Sequence, residues 1–295
     1  MNNYISSYEY ESNVNPAMQP FPIESRNIRD VPYGITPLNY SEQYKVPFPA
    51  TSPNLLASFI RLEENGEVSE TTSSSSHFFY VIHGTGEISV DDQEWEVSQG
   101  DIFITPCFRE HIKIRNTNTE KELQVYYVND SPLLKYLGSI PTTPTFQSAL
   151  YSREYLWTKL QELSNPENNR KGILLSNRAT EALGVNTITP VLWALYNELP
   201  ANTRQRPHRH NSVALDLCIS SSDDGKVYTL LSDKLDEKGE LVNPIKVEWK
   251  TSEMFITPPG LWHSHHNEGR DVAYVLPIQD AGLLLYQRIL GIVLN

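Results

Sequence analysis

Asp101-Ile-Phe-Ile-Thr-Pro106 and Glu253-Met-Phe-Ile-Thr-Pro258 are nearly the same phrase, and each leads to a histidine, His111 and His263. The offset is 152 residues for the phrase and for the histidine, about half of the 295-residue chain. Self-similarity over that span marks a duplicated domain rather than a short solenoid unit. The surroundings of both copies are strand-like. His77-Phe-Phe-Tyr-Val-Ile82 is rich in β-formers, Glu87-Ile-Ser-Val90 turns through Asp91-Asp92 into Glu94-Trp-Glu-Val97, and Leu123-Gln-Val-Tyr-Tyr-Val128 follows. Strand patterns return from about residue 186. Between them Ser152-Arg-Glu-Tyr-Leu-Trp-Thr-Lys-Leu-Gln-Glu-Leu-Ser164 predicts a helix with Ser152 as N-cap, closed by the segment 165–172. The expected fold class is all-β, with two similar barrels joined by a helical linker. The expected organisation is an extended arm over 1–50, a first barrel over 51–130, a linker over 131–185 and a second barrel over 186–295.

The arm carries Pro16, Pro20, Pro22, Pro32, Pro37, Pro47 and Pro49. Prolines at that density forbid long helices and interior strands. The arm therefore lies over a barrel, on its own chain or, alternatively, on a neighbouring subunit. A composition 39% hydrophobic and 20% charged is that of an ordinary globular chain. No apolar run approaches the ~20 residues needed to span a bilayer, and the polar start lacks the layout of a secretion signal. Two cysteines, Cys107 and Cys218, make no disulfide framework. These features predict a cytoplasmic protein. A net charge of −12 argues against nucleic acid and against anionic membrane surfaces, because both require a basic face.

Five of the eight histidines lie in the second half, in two short clusters. In Arg206-Pro-His-Arg-His210, side chains two apart on a strand share a face, so His208 and His210 converge. His263 follows the turn Pro258-Pro-Gly260 on a later strand. Three neutral imidazoles around one ion leave positions open for substrate, water or oxygen. The predicted metal ligands are therefore His208, His210 and His263. His265 shares the inward parity of His263, whereas His266 has the opposite parity and is expected to be exposed.

These residues resemble the cupin superfamily. Its second motif, G(x)5PxG(x)2H(x)3N, is met by the stretch from Ser252 through Pro258, Gly260 and His263 to Asn267, with Ser252 in place of the first glycine. The first motif has HxH followed by a glutamate. Here His208-Arg-His210 is followed by Ala214-Leu215, so the fourth ligand is missing. Among cupins, that absence is similar to the bicupin ring-cleaving dioxygenases of gentisate, salicylate and 1-hydroxy-2-naphthoate. Leu192-Trp-Ala194, Pro200, Thr257-Pro258 and Trp262-His263-Ser-His265 fit their pattern too, over roughly residues 190 to 285. The resemblance implies a bicupin of two double-stranded β-helix (jelly-roll) barrels, with one Fe(II) per chain in the C-terminal barrel. Zn(II), Ni(II) or Mn(II) are alternatives for the protein as purified, and ligand type alone does not choose among them. It also implies a small aromatic substrate, O2, and assembly as a homodimer or homotetramer.

The resemblance further implies that His265 contacts substrate with a catalytic acid–base role, and that Trp193 and Asn197 supply an aromatic wall and an amide. Asp216 stands where the family carries an arginine for the substrate carboxylate. An inward carboxylate is costly unless paired. Asp216 is therefore a candidate for substrate binding and catalysis, receiving a hydroxyl or amine, unless Arg204 or Arg206 pairs with it. Arg204 is also a candidate substrate contact. The first barrel keeps Gly100, Pro106 and His111 but has lost HxH, with His77 at the glutamate position. It is expected to be structural, the alternative being a second metal on His77 and His111. Two other functions compete with the dioxygenase. One is a non-redox metal cupin such as an isomerase, cyclase or decarboxylase, and the other is a cupin that only binds a small molecule.

Overall fold

The computed structural model describes residues 4–15, 17–164 and 168–295. Pro16 and residues 165–167, part of the segment expected to close the linker helix, lie outside the described residues. The strands form four antiparallel sheets in two pairs, one pair per half of the chain. In the first half a six-stranded sheet is centred on His77–His83, Leu123–Asn129 and Leu56–Leu62. It faces a four-stranded sheet of Glu67–Glu70, Ile112–Asn116, Thr85–Val90 and Gln93–Ser98. In the second half the matching six-stranded sheet is centred on Ala214–Ser220, Ala273–Gln279 and Trp193–Leu199. Its partner sheet carries Val227–Ser232, Trp262–Asn267 and His208–His210.

The repeated phrases occupy equivalent places. Ile102–Thr105 pairs with His77–His83, and Glu253–Thr257 pairs with Ala214–Ser220. The duplication also extends past what the sequence reading found. The strands Leu123–Asn129 and Ala273–Gln279 each end in an amide followed by an acid, Asn129-Asp130 and Gln279-Asp280. Asp130 accepts the backbone N–H groups of Ser75 and Ser76 at 2.8 and 3.0 Å, and Asp280 accepts that of Val213 at 3.0 Å.

Side-chain alternation sorts the interior into three cores. In Ala214–Ser220, Leu215 and Leu217 join a large apolar cluster that includes Phe59, Phe78 and Tyr126 of the first half. The two six-stranded sheets are therefore packed against each other, and Tyr126 donates its hydroxyl to the Leu215 carbonyl across the seam. Each such residue contributes about 1.5–3 kcal/mol by leaving water, so the halves are one folded body. The other two clusters fill the barrels, and they differ. The first barrel holds thirteen buried apolar residues, with Phe79, Phe103 and Tyr127 stacked or tilted on one another. The second holds only seven, around Trp249 and Phe255. Space within the second barrel is thus left to polar groups.

The arm lies on its own chain. Ser25–Asn27 adds an edge strand to Glu253–Thr257 of the second barrel, while Gly34–Pro37 closes an edge of the first. Both are edge positions, as the prolines require. The linker helix is Arg153–Gln161, and Ser152 caps it by accepting the Tyr155 N–H at 3.2 Å. The linker is less purely helical than expected. Its strands Ala149–Tyr151 and Lys171–Leu175 close the remaining edges of the two large sheets. Sheet edges without a partner invite aggregation, and here arm and linker cover them. Among the described residues no helix is long and apolar enough to cross a membrane.

Candidate metal centre

His208–His210 pairs with Trp262–Asn267, placing His208 directly opposite His263. The turn between the motifs fixes this approach. Gly260 takes φ +81°, a left-handed conformation that suits glycine, and donates its N–H to the His210 carbonyl at 2.7 Å. Four imidazoles converge as a result. The ring centres of His208 and His263 are 4.1 Å apart, those of His210 and His263 4.9 Å, and those of His263 and His265 5.7 Å. The ligating atoms of His208, His263 and His265 all lie within 4.8 Å of one another. That closest trio differs from the expected one by His265 in place of His210.

Proton bookkeeping separates the four rings. His210 Nδ1 faces the Ser212 carbonyl at 2.9 Å, and His263 Nδ1 faces the Leu261 carbonyl at 3.1 Å. A carbonyl only accepts, so both rings carry their proton on Nδ1 and present a bare Nε2 lone pair. His265 differs: its Nδ1 lies 2.8 Å from the hydroxyl of Thr229, which already accepts the Trp249 indole N–H at 2.8 Å. Thr229 is fully buried, and no other acceptor for its hydroxyl hydrogen lies within reach among the described residues. The hydroxyl therefore donates to His265 Nδ1, which leaves His265 with an N–H at Nε2. His208 Nδ1 is buried and makes no hydrogen bond. Burial, first, and then the neighbouring rings and the Arg170 cation hold His208, His263 and His265 well below the usual histidine range. Burial also lowers His210. Neutral imidazoles are the form that binds metal.

The rings border a cavity of about 180 Å³, walled by Ile173, Leu174, Leu195 and Pro277 and edged by Asn197, Gln205, Asp216 and Gln279. Asp216 is buried and accepts the Thr257 hydroxyl at 2.5 Å. Burial pushes its carboxyl up to about 7, against the opposing pull of that hydrogen bond. Neither arginine proposed to pair with it does so. Arg206 offers its carbonyl to Arg170, and Arg204 is exposed and ion-paired with Glu240.

Arg204 is thus not a cavity residue. It pairs with His266 across the strands and shares the outward face, while its neighbour Gln205 is buried at the cavity. Trp193 has the parity of Asn197 but sits four residues earlier on the strand, half-buried and outside the cavity lining. Asn197 does line it, in a place kept open by Gly172. His266 is buried rather than exposed, because Tyr228 stacks on its ring and Ser264 lies 2.8 Å from its Nε2. Cys218 packs among the apolar residues around Trp249.

Three contributors escaped the sequence reading. Thr229 and Trp249 lie between the two histidine clusters, where no motif marks them. Arg170 comes from the linker. In the first barrel His77 is fully buried, stacked on Tyr127 and bound to that phenol at 2.7 Å, and burial pushes it down to about 3. Its strand neighbours are Thr105 and Asn129, and His111 is half-buried just before the strand Ile112–Asn116.

Residues 58–129, in the first barrel, match the family model described as Cupin domain. No curated protein matches the chain. Solved structures with the same fold include salicylate 1,2-dioxygenase from Pseudaminobacter salicylatoxidans. It is 14% identical with a TM-score of 0.74, over 98% of this chain and 92% of that one. A point mutant of that enzyme in complex with gentisate gives a TM-score of 0.73 at 14% identity, over 98% and 91%. An oxalate decarboxylase structure gives 0.56 at 12% identity, over 91% and 78%. At such identities the likeness shows the fold. The chain has a bicupin fold, its first barrel matches the cupin model, and the histidine cluster sits in the barrel that the model does not cover.

Proposed function

From the bicupin fold and the four-histidine cavity, we propose that the second barrel is the active site of a non-haem Fe(II)-dependent dioxygenase acting on a small phenolic ring. The observation that carries this reading is a cluster of neutral imidazoles with no carboxylate ligand, beside a partly apolar cavity. His208, His210 and His263 would hold the ion: the last two offer bare Nε2 atoms, and the first has a nitrogen without a partner. Bound there, Fe(II) supplies redox chemistry with O2 and a Lewis-acid pull on phenolic oxygens.

The chain's own groups do the rest. His265 donates from Nε2 to a substrate oxygen and steadies negative charge on it. Thr229 and Trp249 hold that ring in register. Asp216, titrating near neutrality, exchanges a proton with a ring hydroxyl or amine. Asn197 orients the ring, and Leu195, Ile173 and Pro277 give it an apolar wall. The volume of about 180 Å³ is below the roughly 300–1,000 Å³ of drug-sized sites and suits a compact substrate. We place the protein in the cytoplasm, where two free cysteines persist, as a homodimer or homotetramer.

Asp216 also favours a second reading. A carboxyl titrating near 7 suits a general base, so the site would serve a non-redox metal lyase or isomerase. Metal analysis of anaerobically purified protein, then oxygen uptake on salicylate, gentisate and amino-substituted phenols, separates the two. One iron per chain with oxygen consumption is expected, and metal-dependent turnover without oxygen consumption would replace the first reading by the second. His210→Ala should lose the metal. His265→Ala should keep it while turnover falls by about 10²–10³, the usual cost of a lost transition-state donor. The reverse pattern would make His265 the ligand.

A further inference from the structure

His210 is tied to the first half of the chain by a relay of hydrogen bonds that starts outside the cavity. Its Nδ1 faces both oxygens of Ser212, the carbonyl at 2.9 Å and the hydroxyl at 3.1 Å. The Ser212 hydroxyl donates its hydrogen to Gln279 Oε1 at 2.7 Å, so towards the ring it accepts. The next residue, Val213, donates its N–H to Asp280 Oδ1 at 3.0 Å. Two successive residues of the turn are thus clamped by two successive residues, Gln279 and Asp280, and all four are buried. The other oxygen of Asp280 accepts the Asn54 amide at 2.7 Å, and Asn54 belongs to the first half. The turn that carries Asn54 is itself fixed. The Leu55 carbonyl accepts the N–H groups of Thr51 and Ser52 at 3.0 and 2.9 Å, and the Ser52 hydroxyl accepts the Leu55 N–H at 3.0 Å.

The first barrel repeats this clamp with no ligand to place. Asn129 Oδ1 accepts the Ser74 hydroxyl at 3.2 Å, as Gln279 accepts that of Ser212. Asp130 accepts the N–H groups that follow, as Asp280 accepts that of Val213. Two residues before Ser74, however, stands Thr72, where His210 precedes Ser212. The second oxygens differ as well. That of Asp130 accepts the Ser75 hydroxyl within its own barrel, whereas that of Asp280 reaches across to Asn54. The duplication therefore separates two roles. A carboxylate that pins the turn serves both barrels, and the one linked to an imidazole at one end and to the other half at its other end is Asp280. The nitrogen of a histidine that faces away from an ion sets the ring's tautomer and orientation, so what holds Ser212 also aims His210.

We propose that Asp280, held by Asn54, is a positioning residue for His210, so that the contact between the two halves sets the metal affinity of the second barrel. This rests on reading the histidine cluster as a metal site, but not on oxygen chemistry within it.

The test is Zn(II) affinity of the chelator-treated full chain, measured by competition with a chromophoric chelator, with the visible spectrum of the Co(II)-loaded protein as a readout of ligand geometry. Asp280→Ala should weaken Zn(II) about 10–100-fold, the usual cost of losing a group that orients a ligand, and shift the Co(II) bands. Asn54→Ala should act in the same direction by less. The exchange of Asn54→Asp with Asp280→Asn restores both hydrogen bonds with donor and acceptor reversed across the seam, and should return affinity and spectrum to wild type. Asp130→Ala, which removes the matching clamp of the first barrel, should lower the melting temperature and leave both metal readouts unchanged. A Zn(II) affinity indifferent to Asp280→Ala, an equal loss in Asp130→Ala, or an exchange variant that stays as weak as Asp280→Ala would each overturn the proposal. Should Asp280→Ala fail to fold, Asn54→Ala and the exchange variant decide by the same criteria. Wild type that binds neither ion would overturn the metal reading itself, whereas tight binding by wild type and all variants alike would overturn the positioning role alone.

Discussion

Replacing Asp216 by Asn measures how strongly the barrel resists a charge at this position. In the unfolded chain this carboxyl titrates near 3.8, and in the folded chain burial moves it to about 7. The sign follows from linkage. A carboxyl held above its unfolded value favours the folded state fully below pH 3.8, and that contribution is lost as pH rises through about 7. Integrated between the two values, the loss is about 4 kcal/mol by pH 8 and about 1.5–2 kcal/mol at pH 5. Asn keeps the shape and can still accept the Thr257 hydroxyl, but it carries no charge. In metal-free protein, Asp216→Asn should therefore be more stable than wild type at pH 8, and the advantage should shrink by about 2–3 kcal/mol at pH 5. Urea unfolding at both pH values reads this directly. The comparison cancels the buried histidines, which are common to both proteins. An advantage independent of pH, or a variant less stable at pH 8, would show that Asp216 is ionised and paired in the folded state rather than a buried neutral acid.

Thr229→Val removes the hydroxyl between Trp249 and His265 and strands a buried indole N–H. Stability should fall by about 1–3 kcal/mol and turnover should drop with the metal still bound, with Thr229→Ser restoring both; loss of metal instead would count against His265 as a donor. Gly172→Ala would put a Cβ 1.9 Å from Asn197 Oδ1. Asn197 must then leave its place, and a cost of about 1–3 kcal/mol in denaturant with a raised KM is expected. Adding metal at about a hundred times its Kd to chelator-treated wild type should stabilise it by about 2.7 kcal/mol, and a melting scan of His210→Ala should show no such gain.

Much of this was legible in the chain. The Ile-Thr-Pro phrases and the histidines behind them were enough to establish a duplicated β architecture, because a strand's period of two and an obligatory turn leave local marks. The same marks placed His208, His210, His263 and His265 on inward faces, and Ser152 at a helix start. Parity failed where a strand was short or its far side covered. Arg204 and Gln205 differ by one residue, and only their pairing with Trp262–Asn267 shows which one turns inward. His266 has the outward parity expected, yet Tyr228 covers it.

The sequence by itself determined the kind of site, since imidazoles two apart and a proline-glycine turn are short-range features. The tertiary structure decided what each ring does. A proton's position on His265 depends on Thr229, 36 residues away, and on Trp249 behind it. Arg170 reaches the cavity only because the linker forms an edge strand of the second barrel and is tied to the residues before His208. Hydrogen bonds and charges act through space over a few ångströms, and the chain brings such groups together from separations that no local pattern records.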